Sequence, residues 1–398
     1  ETDRELRINL RLVELPSGKL VWTQAYDRKP TDVFSVQGEI AQDVATALAL
    51  QPAAIITADQ RSIDPLLLRR VHEARAILRG SADANGRDPE AMMRALVAEH
   101  PDYAPAHGFL SVMLYVKHGR DPAALREARR EAELAQRLDP DEPESCYTLA
   151  TLAALDTDWE RAIAMFRKSA QLAPSDPAFP GIYGRALAGL GYLDEGLREA
   201  AFGTAHDPLS AMALSTQAML LDAAGRHDEA RRQYEDFAAA APERAGSVSW
   251  SRWFNAFWRH DDAGMQAAMD TMPQGNWTAS YRAVTAALHD ATRWPQAWAE
   301  IEASERRARA QHVDGPGVNF LHLSLPNPDY VQSLAVMDDS LRNNWGNYHL
   351  MIWMPEYRAA RQSPAFQDYL KRNRILDYWR AHGFPPQCHP QGDGAVCA

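Results

Sequence analysis

Four prolines, Pro140, Pro174, Pro208 and Pro242, stand 34 residues apart. Each closes a similar phrase: Leu138-Asp139-Pro140, Leu172-Ala173-Pro174, His206-Asp207-Pro208 and Ala240-Ala241-Pro242. Gly191 and Gly225 keep the same step, as do Ala162, Gly196 and Ala230. A period of this length holds one pair of helices, and a unit so small cannot bury its own apolar face, so consecutive units must complete one another's core. The recurring small residue has a purpose in such a stack. Where two helices cross closely a methyl group or less is all that fits, while Phe166, Leu187, Leu221 and Tyr234 fill the space between layers.

Prolines, small residues and apolar spacing together resemble the tetratricopeptide repeat (TPR). The resemblance implies a mostly α chain, a TPR-type α-solenoid wound as a right-handed superhelix, preceded by a small N-terminal α/β subdomain (a β-hairpin plus helix). The array is expected over residues 65–242. Pro101 precedes Pro140 by 39 residues, five more than the period, and the Gly119-Arg120-Asp121-Pro122 loop is the expected place for the insertion. Beyond Pro242 the strict period dissolves into divergent helical repeats over 243–311, pairing Trp250–Arg259 with Asp262–Thr271 and Trp277–Ala291 with Trp294–Gln311. An irregular C-terminal cap and tail fill 312–398, with Leu321–Leu325 extended and Tyr330–Leu341 helical.

Ahead of the repeats, Leu6, Ile8, Leu10 and Leu12 alternate with Arg7, Asn9 and Arg11, the period-2 pattern of a half-buried strand. Pro16-Ser17-Gly18-Lys19 supplies a turn into a second strand through Leu20, Trp22, Gln24 and Tyr26. Val33, Val36, Ile40, Val44 and Leu48 follow at helical spacing, and residues 51–64 read as a linker. The phrases Arg7-Ile8-Asn9-Leu10-Arg11-Leu12, Gly18-Lys19-Leu20-Val21-Trp22 and Asp32-Val33-Phe34-Ser35-Val36-Gln37-Gly38-Glu39 resemble the second half of a TolB-like α/β subdomain, here over about residues 1–50. The closing phrases Met354-Pro355-Glu356-Tyr357-Arg358, Asp377-Tyr378-Trp379-Arg380 and Gly383-Phe384-Pro385-Pro386-Gln387-Cys388 resemble the C-terminal cap of the same TolB-like-plus-TPR proteins. In that family the region belongs to bacterial membrane-anchored winged-helix transcriptional regulators or adenylate/guanylate cyclases. The resemblance implies a periplasmic location; the cytoplasm is the alternative.

Glu1-Thr2-Asp3-Arg4-Glu5 lacks an initiator Met and the apolar core of a signal peptide, so the chain is expected to be a fragment whose anchor lies upstream. No apolar run within it is long enough to span a bilayer. A net charge of −11 over 398 residues argues against direct nucleic-acid binding. The three cysteines are Cys146, Cys388 and Cys397. The last two flank a Pro/Gly-rich loop and read either as a disulfide suited to an oxidising compartment or as two free thiols. Histidines are scattered, and two cysteines beside His389 make a poor zinc site, so no metal is expected. No phosphate-binding glycine loop or nucleophile elbow occurs, so no catalytic residue and no cofactor is expected.

Two binding surfaces remain. In TPR proteins the first helix of each pair lines an inner groove that holds partner peptides, and the matching positions here are Glu144, Tyr147, Thr151, Arg185, Ser215, Met219 and Asp222. The competing reading is an exposed wall without a ligand. Most tryptophans lie after residue 249, either as core or as an apolar pocket lined by Trp250, Trp253, Trp345, Tyr348 and Trp353. The expected function is a non-enzymatic sensory or scaffold region that binds a protein or peptide, with a homodimer as one arrangement, and relays to an upstream effector. A stand-alone assembly adaptor is the alternative. An enzyme is third, and requires polar groups converging on the tryptophan pocket.

Overall fold

The computed structural model describes residues 6–14, 19–28, 39–40, 43–44, 65–78, 86–119, 121–174, 176–207, 210–240, 246, 248–275, 278–310, 330–343 and 349–398. The chain divides into two compact units, Glu1–Pro101 and Asp102–Ala398.

In the first unit β1 (Leu6–Glu14) and β2 (Lys19–Arg28) pair antiparallel from Leu6↔Arg28 to Glu14↔Lys19, with an irregularity between Leu12 and Val13. Tyr26 is buried, and its hydroxyl donates to Asp43 Oδ2 at 2.7 Å. The expected helix through Val33–Leu48 and the 51–64 linker lie mainly outside the described residues. Helices α1 (Pro65–Leu78) and α2 (Pro89–Glu99) follow, with Val71, Ala74, Met93 and Leu96 buried. Asp88 caps α2 by accepting from Glu90 N–H, and proline at the first helical position supplies a preset φ.

The second unit is an α-solenoid of helical pairs. They are α3 (Ala104–His118) with α4 (Pro122–Leu138), α5 (Pro143–Leu155) with α6 (Trp159–Leu172), and α7 (Ala178–Gly189) with α8 (Leu193–His206). Then come α9 (Ala211–Ala223) with α10 (His227–Ala240), α11 (Ser249–Trp258) with α12 (Asp262–Thr271), and α13 (Thr278–His289) with α14 (Trp294–Ala310). Both divergent pairs expected past Pro242 are therefore helical. The extra five residues before Pro140 are not in the loop. Residues 119–121 span the α3–α4 turn just as 156–158 span the next, whereas α3 has 15 residues against 13 in α5, and α4 has 17 against 14 in α6. Lengthening two helices keeps the three-residue turn on which their packing angle depends.

The period survives as repeated hydrogen bonds. Second helices end with Asp139 N–H on Ala135 O, Ala173 on Ser169 and Asp207 on Gly203, each step 34 residues. First helices end in one closure: Asp158 N–H on Ala153 O, Tyr192 on Leu187, Arg226 on Leu221 and Asp261 on Ala256. Each closure turns on one left-handed residue, Thr157, Gly191, Gly225 and His260 in order, as a Schellman motif requires. The small positions also serve as expected. A Cβ on Gly184 would stand 2.5 Å from Gly196 O, and a Cβ on Gly196 the same distance from Gly184 O, so α7 and α8 touch backbone to backbone.

A cap follows the last pair: α15 (Tyr330–Asn343), a 3-10 turn (His349–Trp353), α16 (Arg358–Arg361), α17 (Pro364–Arg372), α18 (Ile375–His382), and the ribbon of β3 (Cys388–Gln391) and β4 (Gly394–Cys397). Residues 321–325 lie outside the described residues. Trp353, Phe366, Tyr369, Leu370 and Trp379 form the cap's buried centre. Cys388 and Cys397 are disulfide-bonded across the ribbon, so they are not two free thiols. Cys146 is a free, buried thiol.

Candidate functional site

The inner wall of the middle repeats meets the cap. Trp353 Nε1 donates to Gly189 O at 3.1 Å, Trp379 Nε1 to Leu190 O at 2.9 Å, and Gln387 Nε2 to Gly191 O at 2.7 Å. In the other direction Trp159 Nε1 donates to Asn373 O at 2.6 Å, and the Tyr192 hydroxyl donates to Gly383 O. His382 and Glu160 form a further pair at the rim. The helix-end carbonyls of α7 lack partners within their own helix, and the cap's indoles satisfy them. His349 packs flat on Gly189, where any β-carbon would overlap its ring. Burial, with the Arg185 guanidinium nearby, pushes the His349 imidazole down to about 4, so it is neutral.

A second junction is polar. Asp222 is buried at the end of α9, and its carboxylate accepts from His227 Nδ1 (2.9 Å), Asn255 Nδ2 (2.8 Å) and the Tyr234 hydroxyl (3.0 Å). Asn255 also donates to His227 O, and His227 Nε2 reaches Glu356 Oε1 of the cap at 3.2 Å. The His227 ring stacks on Trp258, with centroids 5.5 Å apart. Burial opposes a charged ring there, but the two carboxylates outweigh it and hold His227 up to about 9. Burial pushes Asp222 up, and the hydrogen bonds it accepts pull the other way; for Glu356, the bond from His227 and the cation's charge outweigh burial and hold it down. In the cap itself, buried Arg361 donates to the main-chain oxygens of Ile352, Met354 and Ala398. Desolvation lowers its guanidinium to about 10.

The seven groove positions read from the sequence divide. Glu144, Thr151 and Asp222 are buried, so they are corrected from partner-contacting to interior residues. Thr151 Oγ1 donates to Tyr147 O and Asp222 holds three helices together, which leaves neither side chain for a ligand. Tyr147 is half-buried among Tyr115, Phe166 and Phe179, with ring centroids 6.3–6.4 Å away. Arg185, Ser215 and Met219 are half-buried. Sequence reasoning missed the occupant of this wall, although the Trp353 and Trp379 indoles are the kind of group that needs a buried acceptor.

The tryptophan pocket does not form around Trp253 and Trp353, which sit in separate clusters. Trp253 is fully buried, stacks on Phe257 at 5.6 Å and donates to Thr285 Oγ1 at 3.0 Å. Trp353 packs on Phe366 and Trp379 at 5.9 and 6.0 Å. Trp250 is half-buried against the same extended core, and Trp345 and Tyr348 lie outside the described residues. The physical reason is size: a tryptophan filling the gap between irregular helices removes more apolar surface than any other residue. Among the described residues no three metal-ligating side chains lie together, and no helix is long and apolar enough to cross a membrane.

No protein-family model matches the chain. Over 170 residues it is 29% identical to a putative adenylate cyclase 3 of Rhizobium meliloti (strain 1021), a match covering 40% of this chain and 28% of that protein. Among solved structures, a tetratricopeptide repeat protein from Parabacteroides merdae ATCC 43184 is 14% identical, with a TM-score of 0.41 over 60% of this chain and 92% of that one. YrrB, a TPR protein with an unusual peptide-binding site, is 15% identical, with a TM-score of 0.32 over 45% of this chain and 89% of that one. PilW, a type IV pilus biogenesis factor, is 15% identical, with a TM-score of 0.38 over 52% and 92%. The chain thus carries a TPR-type solenoid and resembles a short part of one longer cyclase-like protein.

Proposed function

We propose that this chain is the non-catalytic sensory region of a bacterial signalling protein, binding a protein or peptide partner and relaying that event to an effector domain elsewhere in the polypeptide. The observation that carries the reading is the cap lying on the inner wall of α5, α7 and α9. A partner that takes this wall must displace the cap, so the molecule has two arrangements whose balance a ligand biases by binding one better. The likeness to a putative adenylate cyclase over part of its length supports a cyclase as the effector; a winged-helix effector is the other form. The Cys388–Cys397 disulfide supports a periplasmic setting.

The test uses the full-length protein encoded by the gene. Trp353→Ala opens the cap without touching the effector. If the effector is a cyclase, its product formation should change severalfold in the variant. Unchanged output, with the cap shown open by hydrogen exchange at Leu190 and Gly191, would overturn the relay. A gene encoding only a signal peptide ahead of Glu1 would favour a stand-alone adaptor of protein assembly.

A further inference from the structure

On the face of the repeats made by α8, α9 and α10, a cavity of about 440 Å³ is walled by Arg198, Arg226, Arg232, Asp194, Gln217 and Gln233. Leu197, Ala201 and Leu221 add an apolar floor. Arg226 is spent on Glu229, which accepts from its Nε and Nη2 at 2.6 and 2.7 Å. Arg198 and Arg232 are exposed and make no ion pair or hydrogen bond among the described residues. The amide oxygens of Gln217 and Gln233 are buried and accept no hydrogen bond, a cost that a bound N–H donor would remove.

The geometry points to a site for a free α-amino acid with a small aliphatic side chain. Its carboxylate pairs with the guanidiniums of Arg198 and Arg232, which present forked donors matched to a carboxylate. Its ammonium donates to the Gln217 and Gln233 amide oxygens under the field of Asp194. Its side chain rests on Leu197, Ala201 and Leu221. The cavity is of the size that holds small ligands, and its mixture of one unpaired acid with two unpaired guanidiniums suits a zwitterion better than a simple anion. This site is separate from the wall covered by the cap, and it stands whether or not the chain relays to an effector.

Isothermal titration of the whole chain with L-valine, L-leucine and L-alanine, each beside its N-acetyl and amide derivatives, tests it. The free amino acids should bind, and blocking either end should weaken binding about tenfold or more, the loss of one charge-assisted contact. Arg198→Ala and Arg232→Ala, both at exposed positions, should each weaken binding about tenfold while leaving the unliganded melting temperature unchanged. No heat from any of the three at millimolar concentration would overturn the inference. So would equal binding of the N-acetyl forms, or affinity indifferent to both arginine substitutions.

Discussion

His260 holds a φ of 55° and Thr157 one of 56°, at turns where the equivalent residues are Gly191 and Gly225. A side chain in that region costs about 1–2 kcal/mol, and glycine's extra freedom in the unfolded chain returns part of any gain. His260→Gly should therefore stabilise by about 0.5–1 kcal/mol in urea unfolding. Gly225→Ala should do the opposite and cost about 2–4 kcal/mol, because it adds backbone strain and sets a methyl group 2.6 Å from Pro355 Cγ. Asp222 and Ser215 look alike in the sequence as groove positions but differ in consequence. Asp222→Ala strands buried donors from Tyr234, Asn255 and His227 and should cost about 3–5 kcal/mol. Ser215→Ala loses only a hydroxyl bonded to Met212 O one turn back, and should stay within about 0.5 kcal/mol. His227 has its folded-state value raised from 6.5 to about 9. A raised base stabilises the fold fully below the unfolded value and loses that contribution as pH climbs through the folded one. The stability difference between wild type and His227→Gln should thus be constant below pH 6.5 and shrink as pH climbs towards 9, as melting temperatures in a pH series will show.

At the scale of elements, the helical pairs were legible because their signals are local. A proline after each second helix, a glycine at two of the four turns and a small residue at each crossing all recur within one period, and each encodes a contact between near neighbours in sequence. Two things escaped this reading. The five added residues look like a loop because Gly119 and Pro122 flank a turn, yet Pro122 at a first helical position and Asp121 as its cap are helix-starting signals. Arg198 and Arg232 escaped because an exposed arginine on a polar helix face is unremarkable until the fold brings α8 beside α10. The ribbon at the end of the cap allows a direct test of what a short covalent loop adds. Chain-entropy arguments give about 3 kcal/mol for loops of this order, confined here to residues near the tail. Reduction, or the Cys388→Ser/Cys397→Ser double variant, should speed proteolysis of residues 388–398 severalfold and leave the α-helical circular dichroism unchanged.

At the scale of the whole molecule, Asp102–Ala398 has its own core running through the repeats and the cap. Expressed without residues 1–101, it should keep a cooperative thermal transition; a broad, non-cooperative melt would show that it leans on the first unit. The cap's docking was not legible in the sequence. Trp159 meets Asn373 across 214 positions and Trp379 meets Leu190 across 189, and no periodicity links residues so far apart. Nothing in the local composition distinguishes Gly189, with His349 on its face, from a glycine tolerated for other reasons.

These long-range bonds also set a timetable. Each pair of helices can form as soon as its own residues and its neighbour's have left the ribosome, but the α7 carbonyls wait for Trp353 and Trp379 near the end of synthesis. A nascent chain stalled before residue 353 would present an unsealed, partly apolar flank to whatever is nearby. Maturation of this protein therefore has a distinct last step, the closing of its own tail, and chaperones or proteases that act on it should discriminate chains by whether that step is complete.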